Sequence, residues 1–272
     1  MHDAVCAALG LSGEQPVRGG CIHQCYRAAL AGRPVFLKLN EARYADAFAA
    51  EADGLRALRR AGARAPEPVG HGVAGGEAYL LMEWLEIGSR GDFAALGTML
   101  AATHRAHSDR YGWPRDNYIG STLQENAPCA GWAEFWRHRR LEPQLALASR
   151  NGYRLEAPPV WRLLEGHKPA PSLVHGDLWS GNAGFLADGA PVLFDPAVYY
   201  GDREADVAMT ELFGGFPEEF YEAYDECWPL ESGYAVRKHL YNLYHLLNHL
   251  NLFGGGYLVQ VRATLRLLAR VL

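Results

Sequence analysis

The chain has 272 residues, 49% hydrophobic and 21% charged, with a formal net charge of -5. That balance belongs to a folded globular chain, and nothing basic invites a nucleic-acid backbone. No apolar stretch approaches the roughly 18 residues that cross a bilayer, and the start Met1-His2-Asp3-Ala4-Val5 has neither the basic nor the apolar region of a secretory signal.

Residues 1–14 read as a short helix closed by Gly10 and Gly13. The pair Gly19-Gly20 then opens a predicted β-hairpin over 17–39. Gly32-Arg33-Pro34 has turn chemistry, and Val35-Phe36-Leu37-Lys38-Leu39 is an apolar run with one lysine inside it. Residues 45–61 are predicted helical, because Phe48, Ala52, Leu55 and Leu58 recur at spacings of three and four before Gly62. Pro66 and Pro68 break the pattern, and Tyr79–Trp84 is the next buried strand. Gly88, Ser89 and Gly91 loosen the chain, and the helical period dominates from Asp92 onward. A boundary at 85–91 gives a hairpin-helix-strand lobe over 1–86 and a mainly helical lobe over 87–272. The second lobe begins with a helix over 92–108, followed by an aromatic-rich loop and a helix near 132–150. Short strands at 172–174 and 192–194 flank a polar loop, and helices include 235–252 and 257–271. No repeat or low-complexity tract appears.

The five cysteines (Cys6, Cys21, Cys25, Cys129, Cys227) are odd in number and sparse. Such a set points to reduced thiols in a cytoplasm rather than a disulfide scaffold. The expectation is a soluble cytoplasmic enzyme or binding protein with no nucleic-acid or membrane partner.

The most informative segment is Leu173-Val174-His175-Gly176-Asp177-Leu178-Trp179-Ser180-Gly181-Asn182. An aspartate follows a strand, and an asparagine sits five residues later. This is the spacing of the protein-kinase catalytic loop, with Gly176 in place of its arginine. Asp177 can accept the proton of a substrate hydroxyl while Asn182 holds a metal ion on the phosphates. A polar turn with Asp177 as a helix cap would give the same letters. Pro191-Val192-Leu193-Phe194-Asp195-Pro196 then puts an aspartate at the end of the next strand, thirteen residues past Asn182. Kinases carry their second metal-binding aspartate there, and Asn182 and Asp195 offer the oxygen ligands that magnesium prefers. Pro196 replaces the usual continuation, and no A-P-E motif follows, so no movable activation segment is expected.

A lysine inside an apolar strand must snorkel or pair. Glu51, thirteen residues after Lys38, shares the apolar helix face of Phe48 and Leu55. A Lys38–Glu51 pair would match the strand lysine and helix glutamate that hold nucleotide phosphates in kinases. An edge lysine and a rim glutamate, both facing water, are the plainer alternative. Gly19 and Gly20 do not complete G-x-G-x-x-G, yet a glycine loop there could cover phosphates with backbone N–H groups. The segment Met82-Glu83-Trp84-Leu85 lies at the lobe boundary, where kinases bind adenine.

The eleven histidines raise the question of zinc. His245 and His249 form an H-x-x-x-H pair, and His104 and His107 form another pair at near-helical spacing, but Leu246 stands where zinc hydrolases carry glutamate. In the helix over 235–252, Asn242, His245, Asn248 and His249 gather on one face, which suits a sugar or, equally, water.

Taken together, the chain resembles the fructosamine kinase (ketosamine 3-kinase) family, relatives of the aminoglycoside phosphotransferases, from about residue 15 to 265. Besides His175–Asn182, the resemblance is carried by Asp116-Asn117-Tyr118-Ile119-Gly120, by Ala208–Phe216 and by Tyr244-His245-Leu246-Leu247-Asn248-His249. Ser121-Thr122-Leu123-Gln124 departs from the family pattern, which has proline before the glutamine. The resemblance implies an α+β, protein-kinase-like two-lobed fold. It implies transfer of the γ-phosphate of ATP, with Mg2+, to the 3-hydroxyl of a ketoamine sugar, after which the product breaks down and frees the amine. By position, it implies Asp177 as base and Asn182 and Asp195 as metal ligands. Lys38 would bind phosphate with Glu51 as partner, residues 83–85 would form the adenine hinge, and Trp179 and His245 would face the substrate. The chain is expected to be a monomer. Some relatives carry a cysteine at the place of Cys21 and form interchain disulfides on oxidation, so a Cys21-linked dimer is the expected oxidised form. Cys25, within the strand, is expected to be less reactive. Rival readings are a kinase of an aminoglycoside, choline or homoserine, and a catalytically dead nucleotide-binding scaffold.

Overall fold

A computed structural model of the chain describes residues 2–17 and 22–272. The predictions for Gly19, Gly20 and Cys21 lie outside the described residues.

The N-terminal helix is shorter than its sequence pattern. α1 (His2–Leu9) stops at Gly10, and Leu11–Pro16 form strand β1 instead of more helix. Gly10 and Gly13 both take left-handed φ values, +66° and +65°. The first ends the helix, and the second sits where the β1 register shifts against β2 (Gln24–Leu30). The β2–β3 hairpin turns at Ala31 and Gly32, both with positive φ, the conformation that a tight two-residue turn requires. β3 is Arg33–Glu41, α2 is Ala45–Arg60, β4 is Pro68–Ala74 and β5 is Glu77–Glu83. The sheet order is β1-β2-β3-β5-β4. β4 was not predicted, because Pro66 and Pro68 read as a break. It is an edge strand whose exposed Val69, His71 and Val73 alternate with more covered residues.

Alternation along β3 divides its side chains between two faces. Val35, Leu37 and Leu39 pack with Val5 and Cys6 of α1. Lys38 projects to the opposite face, toward α2, where Phe48, Ala52, Leu55 and Leu58 are buried as the helical period predicted.

The rest is mainly helical. α3 (Phe93–His104) is capped by Asp92, whose carboxylate accepts from Ala95 N at 2.8 Å. β6 (Asn117–Ile119) and β7 (Thr122–Gln124) form a small hairpin. α4 (Trp132–Trp136) passes through a π turn at Arg137–Leu141 into α5 (Glu142–Arg150). β8 (Ser172–Val174), β9 (Ala183–Phe185), β10 (Pro191–Leu193) and β11 (Tyr199–Gly201) make two short antiparallel pairs, β9–β10 and β8–β11. α6 (Glu204–Leu212), α7 (Glu218–Cys227), α8 (Tyr234–Phe253) and α9 (Leu258–Ala269) complete the chain.

One core cluster unites sheet and helices. Leu55, Leu80, Leu100, Leu173, Leu193 and Phe220 are buried in it together, and each such side chain contributes about 1.5–3 kcal/mol by leaving water. α3 and α7 approach so closely that a Cβ on Gly97 would collide with the Phe220 carbonyl. A second cluster, around Trp132, Trp136, Tyr241 and Leu247, fills the helical region. The architecture is α+β, a β-sheet region followed by a mainly helical one. Among the described residues, no helix is long and apolar enough to cross a membrane.

Candidate active site

Lys38 meets two carboxylates. Its Nζ lies 2.7 Å from Glu51 Oε1 and 2.6 Å from Asp195 Oδ1. The predicted strand–helix pair is present, and Asp195 joins it from 157 residues further along the chain. Burial alone would push the Lys38 ammonium down, but Asp195 and Glu51 outweigh it and hold its pKa above the ordinary lysine value. Asp195 itself has φ +56°, a strained conformation for a residue with a side chain. α2 is held in place from both sides. A Cβ on Gly54 would sit 3.2 Å from Pro196 Cγ, and Arg115 binds both Asp46 and Asp53.

The loop between β8 and β9 is fixed atom by atom. Asn182 Nδ2 donates to Asp177 O at 2.8 Å and to Asp177 Oδ2 at 3.1 Å. His175 Nε2–H donates to Phe194 O at 3.0 Å, which leaves Nδ1 to accept from Asp177 N at 3.3 Å. That single imidazole therefore ties the backbone of Asp177 to the strand end carrying Asp195. Burial lowers its pKa and keeps it neutral for this double duty. Gly176, at φ +81°, lets the loop pass where a Cβ would collide with the Ala197 carbonyl.

Burial pushes the Asp177 carboxyl up to about 7, with the nearby Asp195 charge adding to it and the Asn182 hydrogen bond opposing it. A base poised near neutral pH suits proton abstraction. The Asn182 amide and the Asp195 carboxylate, whose Oδ1 is engaged by Lys38, are hard oxygen donors that fit a divalent ion. A cation there would also relieve the Asp177–Asp195 repulsion.

Above this pair stands α8. His245 Nδ1 is 4.0 Å from Asp177 Oδ1, too far for a hydrogen bond, and this buried nitrogen has no partner. Burial lowers the His245 pKa to about 3, so the ring is neutral. The predicted polar face of α8 does not act as a unit. Asn248 bonds Gln144 at 3.1 Å, and His249 donates to His245 O at 2.8 Å. Asn242, His245 and Asn248 are all buried, so the face is not a solvated one. Trp179 is 37% exposed and meets Phe213 edge to face.

At the 83–85 segment, Glu83 is engaged within the protein. Its carboxylate takes Arg64 at 2.7 and 2.9 Å, and its N–H donates to Glu67 O. Trp84 and Leu85 make no backbone–backbone hydrogen bond among the described residues. Trp84 stacks on Phe36 with Arg27 over its ring. Cys25, opposite Lys38 in the sheet, is buried, and burial pushes its thiol up to about 11.

Sequence reasoning missed the supports of this site. Asp206 of α6 accepts from His175 N at 2.6 Å and Gly176 N at 2.8 Å, and His104 Nε2 meets it at 3.1 Å. Nothing local in the sequence marks Asp206. Asn117 donates to Val198 O and Gln124 to Ala197 O, clamping the chain just after Asp195. The Asp116–Gly120 run was a visible signal without a visible role.

Known proteins resemble this chain over most of its length. A Synechocystis protein named "Probable ketoamine kinase" is 48% identical over 264 residues, covering 94% of this chain and 90% of that protein. A rice (Oryza sativa subsp. indica) protein named "Protein-ribulosamine 3-kinase, chloroplastic" is 43% identical, covering 92% of this chain and 77% of its own length. The crystal structure of a Haemophilus somnus protein named as a fructosamine-3-kinase superposes with a TM-score of 0.90 at 29% identity, covering 98% of this chain and 95% of the other. An aminoglycoside phosphotransferase structure, 13% identical with a TM-score of 0.64 over 99% of this chain and 97% of its own, shares the fold. The family description "Fructosamine kinase" matches residues 2–270. With its kinase-like lysine, loop and paired carboxylates inside a match of that extent, the chain belongs to the fructosamine kinase family.

Proposed function

We propose that this chain transfers the γ-phosphoryl group of ATP to the 3-hydroxyl of a ketoamine sugar, such as a fructosamine or ribulosamine, with Asp177 as base. One observation carries the reading furthest. The Asp177 carboxylate is held by Asn182 at 3.1 Å, tuned to about 7, and faced by the partnerless Nδ1 of His245. The names of the similar proteins supply the substrate class.

In this reading the nucleotide lies between the N-terminal lobe, 1–86, and the C-terminal lobe, 87–272. Trp84 and Leu85 offer free backbone to adenine, and Glu83 braces the hinge through Arg64. Lys38, oriented by Glu51, binds phosphate oxygens. Asn182 and Asp195 would hold Mg2+, which supplies positive charge to those oxygens when bound. Asp177 takes the proton of the 3-hydroxyl as that oxygen bonds to the γ-phosphorus. The bond from phosphorus to the bridging oxygen breaks, and ADP leaves. His245, neutral and buried, accepts or donates one hydrogen bond to the sugar, and Trp179 covers its amine side. In the product, the 3-phosphate can be expelled as a proton leaves C1, and hydrolysis of the resulting imine frees the amine. We place the enzyme in the cytoplasm as a monomer, with Cys21 as the residue that would link two chains on oxidation.

The test is Mg2+-dependent ADP release with a ketoamine panel and an aminoglycoside panel, with the phosphate position assigned by 31P NMR. Ketoamine 3-phosphate is the expected product. Phosphorylation of aminoglycosides alone, or no ADP release with any acceptor, would overturn the proposal.

A further inference from the structure

We infer that a line of aromatic rings leading away from Asp177 is the subsite for the amine half of the substrate, and that it selects amines with an aromatic or other apolar substituent over anionic ones. This rests on the ketoamine reading above.

The line is drawn from three separate parts of the chain. Trp179 comes from the catalytic loop, Phe213 from just past the end of α6, and His249, Phe253 and Tyr257 from the end of α8 and the turn after it. Ring centroids follow one another at 6.3 Å (Trp179–Phe213), 4.7 Å (Phe213–His249), 5.4 Å (His249–Phe253) and 5.1 Å (His249–Tyr257). Rings that serve only the core are buried, as Trp132 and Trp136 are. Here Trp179 is 37% exposed and Phe253 51%. One exposed apolar side chain needs no explanation, but a contiguous run beginning beside a catalytic loop marks a binding surface.

The chemistry of the substrate selects the occupant. In a ketoamine the nitrogen is bonded to C1, two carbons from C3. With the 3-hydroxyl on Asp177, the nitrogen and its substituent must leave the sugar close by, and Trp179 is two residues after Asp177. The indole lies against Gly181, where a Cβ would collide with its ring. Gly214 and Gly215, at φ +98° and +73°, turn the chain immediately after Phe213.

The line offers no positive charge to an anionic substituent. His249 uses its Nδ1–H on His245 O at 2.8 Å, and burial lowers its pKa, leaving it neutral. The ionic groups nearest in sequence to Phe213, Glu211 and its partner Lys238, are closed on each other at 2.6 Å. A carboxylate placed among the rings would lose water without gaining a partner, whereas a flat apolar group gains ring contacts.

The experiment compares ketoamines of one sugar made from benzylamine, methylamine and glycine, with kcat/KM measured for the wild type, Phe253→Ala and Phe213→Ala. The wild type should prefer benzyl over methyl by roughly tenfold, the scale at which apolar pockets discriminate, and should disfavour the glycine adduct. Each variant should bring the benzyl-to-methyl ratio toward one. Phe253 is exposed, so its variant reads the effect even if Phe213→Ala fails to fold. Equal kcat/KM for benzyl and methyl adducts in the wild type, or a ratio unchanged in Phe253→Ala, would overturn the subsite alone. Turnover of none of the three would overturn the ketoamine reading and the subsite with it.

Discussion

Asp206 holds the backbone of Gly176, its carboxylate oxygen 2.8 Å from the amide nitrogen. Its other oxygen takes the amide of His175 at 2.6 Å and faces His104 Nε2 at 3.1 Å. His104 is in turn fixed by the Tyr224 hydroxyl at 2.8 Å, and Tyr224 by Arg203 at 3.1 Å. A buried chain of donors and acceptors thus ends on the two residues that precede Asp177. Asp206 is a positioning residue that need not touch substrate.

Asp206→Asn should therefore lower kcat while leaving KM for ATP nearly unchanged. Its amide can accept only one of the two backbone N–H groups, and a displaced catalytic group costs on the order of 10²-fold in rate. Leaving one buried donor unpaired should also remove about 1–3 kcal/mol of stability. Steady-state kinetics beside a denaturation curve separate the two effects. A destabilised protein with unaltered kcat would show that Asp206 serves folding alone.

Asp177→Asn should reduce turnover by about 10²–10⁴-fold, the usual contribution of a general base. It should also stabilise the metal-free protein. The folded Asp177 carboxyl titrates near 7 against an ordinary 3.8. Protons are bound more tightly in the folded state, so stability declines as pH rises from about 4 to about 7 and stays low above that. The variant should then be more stable than the wild type at pH 8, by up to a few kcal/mol, and equal to it near pH 4. Added Mg2+ should narrow the gap by stabilising the ionised wild type. Melting curves at the two pH values, with and without Mg2+, test this. A gap that widens toward pH 4 would contradict the sign.

Lys38→Ala and Glu51→Ala should each raise KM for ATP, and the double variant should lose less than the sum. Each single variant leaves a buried charge behind, and the structure holds the pair at 2.7 Å. Contacting residues in such cycles couple by about 0.5–3 kcal/mol. The presence of Asp195 at 2.6 Å adds a detail. Glu51→Ala leaves Lys38 one carboxylate, so it should be milder than Lys38→Ala. Strict additivity in the cycle would mean that the pair does not act together on the nucleotide.

What the sequence reveals divides along physical lines. α2 is legible because Phe48, Ala52, Leu55 and Leu58 repeat the helical period and Gly62 ends it. The Lys38–Glu51 contact and the nearness of Asn182 to Asp177 are legible because the cost of burying a charge and a fixed local spacing constrain them. β1 and β4 are hidden, because edge strands tolerate Gly13, Pro16, Pro68 and Gly70, residues that read as turns. Asp206 and the Asn117–Gln124 clamp are hidden for another reason. Their roles are set by backbone groups distant in sequence, which leave no trace in the residues around them.

His167, Asp202 and Glu204 bring ligand atoms within 4.8 Å of one another, as a metal site would. Their valences are already filled by the protein. Asp202 Oδ2 takes His167 Nε2 at 2.7 Å and the Tyr241 hydroxyl at 2.5 Å, and Asp202 Oδ1 accepts from Glu204 N at 3.0 Å. The Glu204 carboxylate is bound at both oxygens by Arg237, each at 2.7 Å. Of the histidines that the sequence offered to zinc, His104 is held by Tyr224 and Asp206, and His249 spends Nδ1 on the His245 carbonyl. Zinc at low micromolar concentration should therefore leave the melting temperature unchanged. Arg237→Leu, by contrast, should cost about 3–5 kcal/mol, because it strands the buried Glu204 carboxylate. Replacing both partners, Arg237→Leu with Glu204→Gln, should recover part of that loss, since no uncompensated charge remains. KM for ATP and ketoamine should stay near wild-type values in the folded variants, because the pair makes none of the contacts that position Asp177 or Lys38. A marked stabilisation by zinc would show instead that the three ligands can abandon Arg237 and Tyr241 for an ion.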